Sequence, residues 1–208
     1  TENFNIFKYQ YFYNGGGTAI ADFNNDGLDD VFFTGNMVKN RLFINEGNLK
    51  FKDVTTQSKV AVHEGWCSGA NAIDINNDGW MDIYVCRTAF PFEKLRKNLQ
   101  LINQKDGTFE DEAQSYGLDD SAYLTQSGFN DFDNDGDLDM LLINHSIPEY
   151  SKGNLEIFKL KSKKDPAITN KLYENRNGKY VDISQQAGIE GNVLSFSLGL
   201  NISDFNND

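Results

Sequence analysis

Residues 22–33, DFNNDGLDDVFF, join an acidic turn to an apolar run, and this combination recurs along the chain. Aligned on their first aspartate, the copies read DFNNDGLDDVFFTGN from Asp22, DINNDGWMDIYVCRT from Asp74, DFDNDGDLDMLLINH from Asp131 and DFNND from Asp204. Their starts are 52, 57 and 73 residues apart. Such a period is typical of proteins that repeat one supersecondary unit.

Each copy is flanked by segments with strand character. Small and apolar residues precede the acidic turn (GGGTAIA, CSGANAI, LTQSGFN), and a β-rich run follows it (VFFT, IYVC, MLLI). A third segment recurs as NRLFIN, NLQLIN and NKLYEN, and a fourth follows a glycine-containing turn. The pattern predicts an all-β fold of β-propeller blades, each with four antiparallel strands.

The order of these segments predicts one propeller portion over residues 1–208. Blade 1 is expected near 14–57, blade 2 near 66–117, blade 3 near 123–187 with an insertion at 146–169, and the start of blade 4 near 194–208. Propellers close with roughly four to eight blades. We therefore expect the chain to be part of a larger propeller or to need a partner that seals its edges.

The acidic turns, called loops 1 to 4 below, have the donor pattern of a calcium site when numbered from their first aspartate. Oxygen-bearing side chains stand at positions 1, 3, 5 and 9, glycine stands at position 6, and the position 7 carbonyl adds a ligand. The predicted ligands are Asp22, Asn24, Asp26, Leu28 and Asp30 in loop 1; Asp74, Asn76, Asp78, Trp80 and Asp82 in loop 2; Asp131, Asp133, Asp135, Asp137 and Asp139 in loop 3; and Asp204, Asn206 and Asp208 in the incomplete loop 4.

Hard oxygen donors without His or Cys favour Ca²⁺ over zinc or copper, so we expect about three mainly structural calcium ions. An EF-hand would need a bidentate Glu at position 12, where this chain has Phe33, Val85 or Leu142. Three loops in register also make ordinary Asn/Asp/Gly turns a poor explanation, although one loop alone would leave that reading open.

The charge of the chain is local. Fourteen of its 31 acidic residues lie in the four loops, and the other 17 are balanced by 19 Lys and Arg. No basic stripe is present to neutralise phosphates, which argues against nucleic acid as a partner. No apolar run approaches the roughly 18 residues needed to span a bilayer.

Little in the sequence indicates catalysis, and no catalytic residue is assigned. We interpret His145 as structural or solvated, and the aromatic segment of residues 9–13 as packing against the first blade. Cys67 and Cys86 flank loop 2 and are either one disulfide or two buried thiols.

The acidic loops resemble those of the FG-GAP/VCBS repeat family, including the integrin α-subunit propellers. More narrowly, NRLFINEGNLKFKDVT, WCSGANAIDINNDGWMDIYVCR and NGKYVDISQQAGI are similar to VCBS proteins related to cartilage acidic protein and to the ASPIC/UnbV group. The resemblance implies a propeller, calcium at the matched positions and a location outside the cytoplasm. Asn in place of Asp at residues 24, 76 and 206 fits the family pattern but lowers the ligand charge.

Two function classes follow. The first is a noncatalytic extracellular or cell-surface module that binds a protein or glycan; bacterial members of the family imply an outer-membrane nutrient-uptake complex of the SusC/SusD kind. The second is a calcium-dependent carbohydrate-active enzyme, such as a polysaccharide lyase or hydrolase, which would need convergent groups in a cleft outside the loops.

Overall fold

The computed structural model describes residues 9–61, 65–88, 93–145, 163–189, 191 and 197–203. These residues form three four-stranded antiparallel sheets with the orders β1-β2-β3-β4, β5-β6-β7-β8 and β9-β10-β11-β12. The strands are β1 (Thr18–Ala21), β2 (Asp30–Phe33), β3 (Arg41–Asn45), β4 (Phe51–Asp53), β5 (Trp66–Ile73), β6 (Asp82–Thr88), β7 (Leu99–Asn103), β8 (Phe109–Asp111), β9 (Leu124–Asn130), β10 (Asp139–Asn144), β11 (Lys171–Asn175) and β12 (Tyr180–Asp182).

Helix is confined to single turns in the part of the chain described. Helix α1 covers Ala113–Tyr116, and 3₁₀ turns cover Gln10–Tyr13 and Glu93–Leu95. No helix within those ranges has the length and apolar character to cross a membrane. The predicted all-β class with four-stranded, propeller-like blades is confirmed, and the three sheets do not close into a ring.

Burial along the strands shows where each sheet lies in the stack. Every residue of β6 is buried, whereas exposed and buried residues alternate along β1. A strand covered on both faces needs apolar side chains on both, while a strand with one covered face needs them only at alternate positions. The second sheet is therefore the middle layer, and the first sheet is covered on one face.

Two apolar clusters fill the spaces between the sheets. Phe32 and Leu42 of the first sheet pack against residues of the second sheet that include Ile83 and Val85. On the other face of the second sheet, Tyr84 belongs to a cluster that also holds Leu124, Met140 and Leu142 of the third sheet. Successive residues of β6 thus enter different cores.

The same alternation settles the state of the two cysteines. Cys67 belongs to the cluster between the first and second sheets, and Cys86 to the cluster between the second and third sheets. Both thiols are free and buried, and burial raises their pKa to about 11 and about 12, respectively. A protonated, enclosed thiol is a poor nucleophile, so both cysteines act as small apolar core residues.

The first strand of each sheet lies beside the first strand of the next, and small residues permit the close approach. A Cβ on Gly17 would lie 2.6 Å from the backbone N of Ala70, and one on Gly69 would lie 2.9 Å from the carbonyl of Thr125. Residues 197–203 continue this arrangement, since a Cβ on Gly128 would meet the side chain of Leu200 at 2.6 Å. Residues 197–203, the described part of the segment predicted as the start of blade 4, therefore lie against β9.

The aromatic segment packs on different sheets from the one expected. Tyr9 makes an edge contact with Trp66 of the second sheet, with ring centroids 5.4 Å apart, and Tyr11 makes a tilted ring contact with His145 after β10, with centroids 4.3 Å apart. The interpretation as a packing segment is confirmed, but its assignment to the first blade is wrong. Segments that cross several sheets make contacts that no local pattern encodes.

One face of the first sheet, called the open face, is apolar and exposed. Ile20 is 61% exposed, and Phe33 and Phe51 are each 43% exposed. Strand register makes these residues equivalent to Ala72, Val85 and Phe109, which lie on the face of the second sheet that packs against the first. The open face thus has the residue types of a sheet-to-sheet interface.

Candidate metal-binding loops

Loops 1 to 3 reverse the chain between the first two strands of each sheet through left-handed backbone conformations. Position 4 is Asn25, Asn77 or Asn134, with φ of 58°, 59° and 60°. The glycine at position 6 has φ of 86°, 83° and 98°. Asparagine and glycine are the residues that adopt this region most readily, so the N-D-G sequence encodes the turn.

The same hydrogen bonds close all three loops, with backbone N–H groups donating to the predicted ligand side chains. The position 5 N–H donates to Oδ1 of position 1 at 3.1, 3.0 and 3.1 Å in loops 1, 2 and 3. The glycine N–H donates to Oδ2 of position 1 at 2.7, 2.8 and 3.0 Å. The position 7 N–H donates to Oδ1 of position 5 at 2.9, 2.9 and 3.0 Å. These bonds hold the acidic side chains of positions 1 and 5 inside the turn.

The aspartate at position 9 is the buried member of each ligand set. Asp30, Asp82 and Asp139 are at most 3% exposed. One carboxylate oxygen accepts from the backbone N–H of position 2, at 2.9, 3.2 and 3.1 Å in loops 1, 2 and 3. The other oxygen accepts from the backbone N–H of the last residue of the third strand of the same sheet, at 2.8, 2.8 and 2.9 Å. Position 9 therefore joins the loop to the body of its sheet.

In loops 1 and 2, burial and crowding disfavour the charged form of the position 9 carboxyl group. Burial raises the pKa of Asp82 to about 6, with the nearby charges of Asp78 and Asp74 adding to the effect and two backbone N–H groups opposing it. Burial likewise raises the pKa of Asp30. A bound cation would offset this unfavourable charge, so the donor set fits a divalent metal ion.

Loop 3 shows the fit most directly. Carboxylate oxygens of Asp131, Asp133 and Asp139 all lie within 4.8 Å of one another. Calcium–oxygen distances of about 2.3–2.6 Å allow one ion to contact oxygens with that separation. In loops 1 and 2, position 3 is Asn24 or Asn76, whose amide carbonyl is also a hard oxygen donor. The predicted ligands of loop 4, Asp204, Asn206 and Asp208, lie outside the described residues.

Sequence reasoning missed a residue that fastens each loop, the asparagine that ends the third strand. Beyond its N–H bond to position 9, the side chain of Asn103 donates to the carbonyls of Met81 and Phe23 at 3.2 and 2.8 Å. Asn45 and Asn175 donate similarly to the carbonyls of Asp29 and Leu138. The signal was present, because NRLFIN, NLQLIN and NKLYEN all end in Asn.

Replacing Asn103 by alanine is expected to lower the free energy of unfolding by about 2 kcal/mol, since two carbonyls lose their donor at a buried site. The matched change Asn45→Ala should cost less than about 1 kcal/mol, because that site is partly open to water. Urea unfolding in chelator measures both. Equal losses would show that Asn103 does not link loop 1 to the second sheet.

The ends of the sheets opposite the loops enclose a cavity of about 230 Å³ lined by residues that include Tyr11, Trp66 and His145. His145 is 1% exposed, and its Nε2 lies 3.2 Å from the Tyr9 hydroxyl and 2.8 Å from the Thr88 hydroxyl. These contacts give His145 a structural role. The cavity is smaller than most ligand pockets, which measure roughly 300–1,000 Å³.

Comparison with known families supports the repeat. The family model described as an FG-GAP-like repeat matches residues 22–85. That stretch begins at loop 1 and ends within β6, so it contains loops 1 and 2, strands β2 to β5 and the first part of β6. No curated protein matches the chain significantly. The predicted likeness to the FG-GAP repeat family is confirmed, and the narrower one to the ASPIC/UnbV group stays a prediction.

Proposed function

The chain carries an FG-GAP-like repeat on β-propeller-type sheets, and from this premise we propose a calcium-stabilised binding or scaffolding module. Its ions are held by the side chains at positions 1, 3, 5 and 9 and the carbonyl at position 7 of loops 1 to 3. They fasten the first two strands of each sheet, and no bond of a substrate is broken at these loops.

One observation carries the calcium assignment, the identical hydrogen bonding of three loops that lie far apart in the sequence. An ordinary turn needs its backbone bonds but not aspartate at positions 1, 5 and 9 together, because each extra carboxylate adds repulsion. Three turns that keep this crowding are best explained by a divalent cation.

Calcium titration by isothermal calorimetry tests this assignment. We expect about three ions per chain. The triple variant Asp22→Asn, Asp74→Asn and Asp131→Asn keeps a side-chain oxygen at position 1 but removes three charges, so it should bind calcium weakly. Absence of binding by the unaltered chain, shown to be folded by circular dichroism, would reduce the loops to turns and overturn the proposal.

Outside the loops, the proposed role is to hold a protein or glycan partner at the cell surface or outside the cell, including an outer-membrane uptake complex. The apolar open face supports the protein partner, since its residues match those of a sheet-to-sheet interface and an exposed apolar face is typical of an interaction surface.

The alternative, a calcium-dependent carbohydrate-active enzyme, draws on the aromatic cavity at the other end of the sheets. Its histidine is 1% exposed and enclosed by the Tyr9 and Thr88 hydroxyls, which favours the noncatalytic role. Incubation with acidic polysaccharides distinguishes the two classes, because lyase action creates an unsaturated uronide that absorbs in the ultraviolet and both lyase and hydrolase action release new reducing ends.

A further inference from the structure

Among loops 1 to 3, as far as the structure describes them, loop 2 differs by a lysine that reaches one of its predicted ligands. The Lys105 ammonium lies 3.2 Å from Asp78 Oδ2. The other carboxylate oxygen of Asp78 accepts from the Trp80 N–H at 2.9 Å. Oδ2 is therefore the oxygen that the backbone leaves to an ion, and Lys105 lies beside it.

The position of Lys105 in its hairpin is unusual. Lys105 is the second residue after the asparagine that ends the third strand of the second sheet. The equivalent residue is Gly47 in the first sheet and Asn177 in the third sheet. All three have left-handed backbone conformations, with φ of 81°, 63° and 57° for Gly47, Lys105 and Asn177. Glycine and asparagine adopt this region easily and lysine does not. The chain thus keeps a strained residue whose ammonium contacts a predicted ligand.

We propose that Lys105 lowers the calcium affinity of loop 2 relative to loops 1 and 3, so that loop 2 fills last as calcium rises. This inference rests on the calcium-binding role proposed above. A calcium ion must either displace the ammonium from Asp78 or bind beside a positive charge, and both reduce affinity. Because Lys105 is partly exposed, the expected difference is about two- to fivefold and shrinks at high salt.

The chain contains its own reporter for this loop. Trp80 is the position 7 residue of loop 2, whereas loops 1 and 3 have Leu28 and Asp137 there. Terbium binds oxygen-rich calcium sites, and its luminescence is excited by energy transfer from a nearby tryptophan. Displacement of terbium by calcium, followed through tryptophan excitation, therefore reports chiefly on loop 2.

The test compares Lys105→Asn, which installs the residue of the third sheet, with Lys97→Asn. Lys97 has the same 47% side-chain exposure and an ion pair with Asp119, and both residues lie in connections outside loop 2, so the control matches the change in charge away from the loop. We expect Lys105→Asn to lower the calcium midpoint about two- to fivefold, and Lys97→Asn to leave it near the value of the unaltered chain.

An unchanged midpoint in Lys105→Asn, or an equal shift in both variants, would overturn the role of Lys105 while leaving calcium binding intact. Calorimetry on the same samples separates the two hypotheses. If no ion binds to any loop, the proposed function itself fails. If ions bind and the midpoint for loop 2 does not respond to Lys105, only this inference fails.

Discussion

Replacing Phe32 by alanine is expected to lower the free energy of unfolding by about 3–5 kcal/mol, the usual loss for a fully buried phenylalanine. Phe32 is completely buried between the first and second sheets. The next residue, Phe33, points to the open face, where its ring makes one edge contact with Phe43 at 6.0 Å. The change Phe33→Ala should therefore cost less than about 1 kcal/mol.

Urea unfolding of the two variants in the same buffer measures this difference. The pair is well matched, because the same side chain is removed from adjacent positions of one strand. A large loss at Phe33 would mean that another surface covers the open face in solution. A small loss at Phe32 would contradict the packing of the first sheet on the second.

Removal of calcium is expected to lower the melting temperature of the chain by about 10 °C. With dissociation constants of about 0.1 mM, as in extracellular calcium modules, about 1 mM calcium stabilises each loop by about 1.4 kcal/mol. Three loops then contribute about 4 kcal/mol, and each kcal/mol corresponds to about 2–4 °C for a chain of this size. Differential scanning calorimetry in chelator and in calcium measures the shift.

Magnesium at equal ionic strength is the control for general screening. It demands a tighter octahedral site than these loops offer, so it should restore little of the melting temperature. Recovery as complete with magnesium as with calcium would indicate charge screening without a specific ion site. An unchanged melting temperature in chelator would remove the structural role of the ions.

The sheets and loops were predictable because the information lies in short segments that repeat. Alternation of residue types in the strands, N-D-G at positions 4 to 6 and aspartate at position 9 all act within one hairpin. The asparagines that end β3, β7 and β11 could have been included on the same basis. Their role was missed because it requires knowing that the third strand lies beside the end of the loop.

Two features could not be predicted for a physical reason. The contacts of the aromatic segment join Tyr9 to residues 57 and 136 positions away, and no sequence period relates them. The approach of Lys105 to Asp78 depends on the direction in which a strained hairpin residue projects. Both depend on tertiary geometry, which overrides local preference.

The open face also gives the array of sheets a polarity. The side of a sheet that carries residues such as Val85 always meets the opposite side of the preceding sheet, which carries residues such as Phe32. The two surfaces are unlike, and the described sheets stack head-to-tail. Such an array has a direction, and any sheet that covers the open face must offer the surface that carries Phe32 in the first sheet.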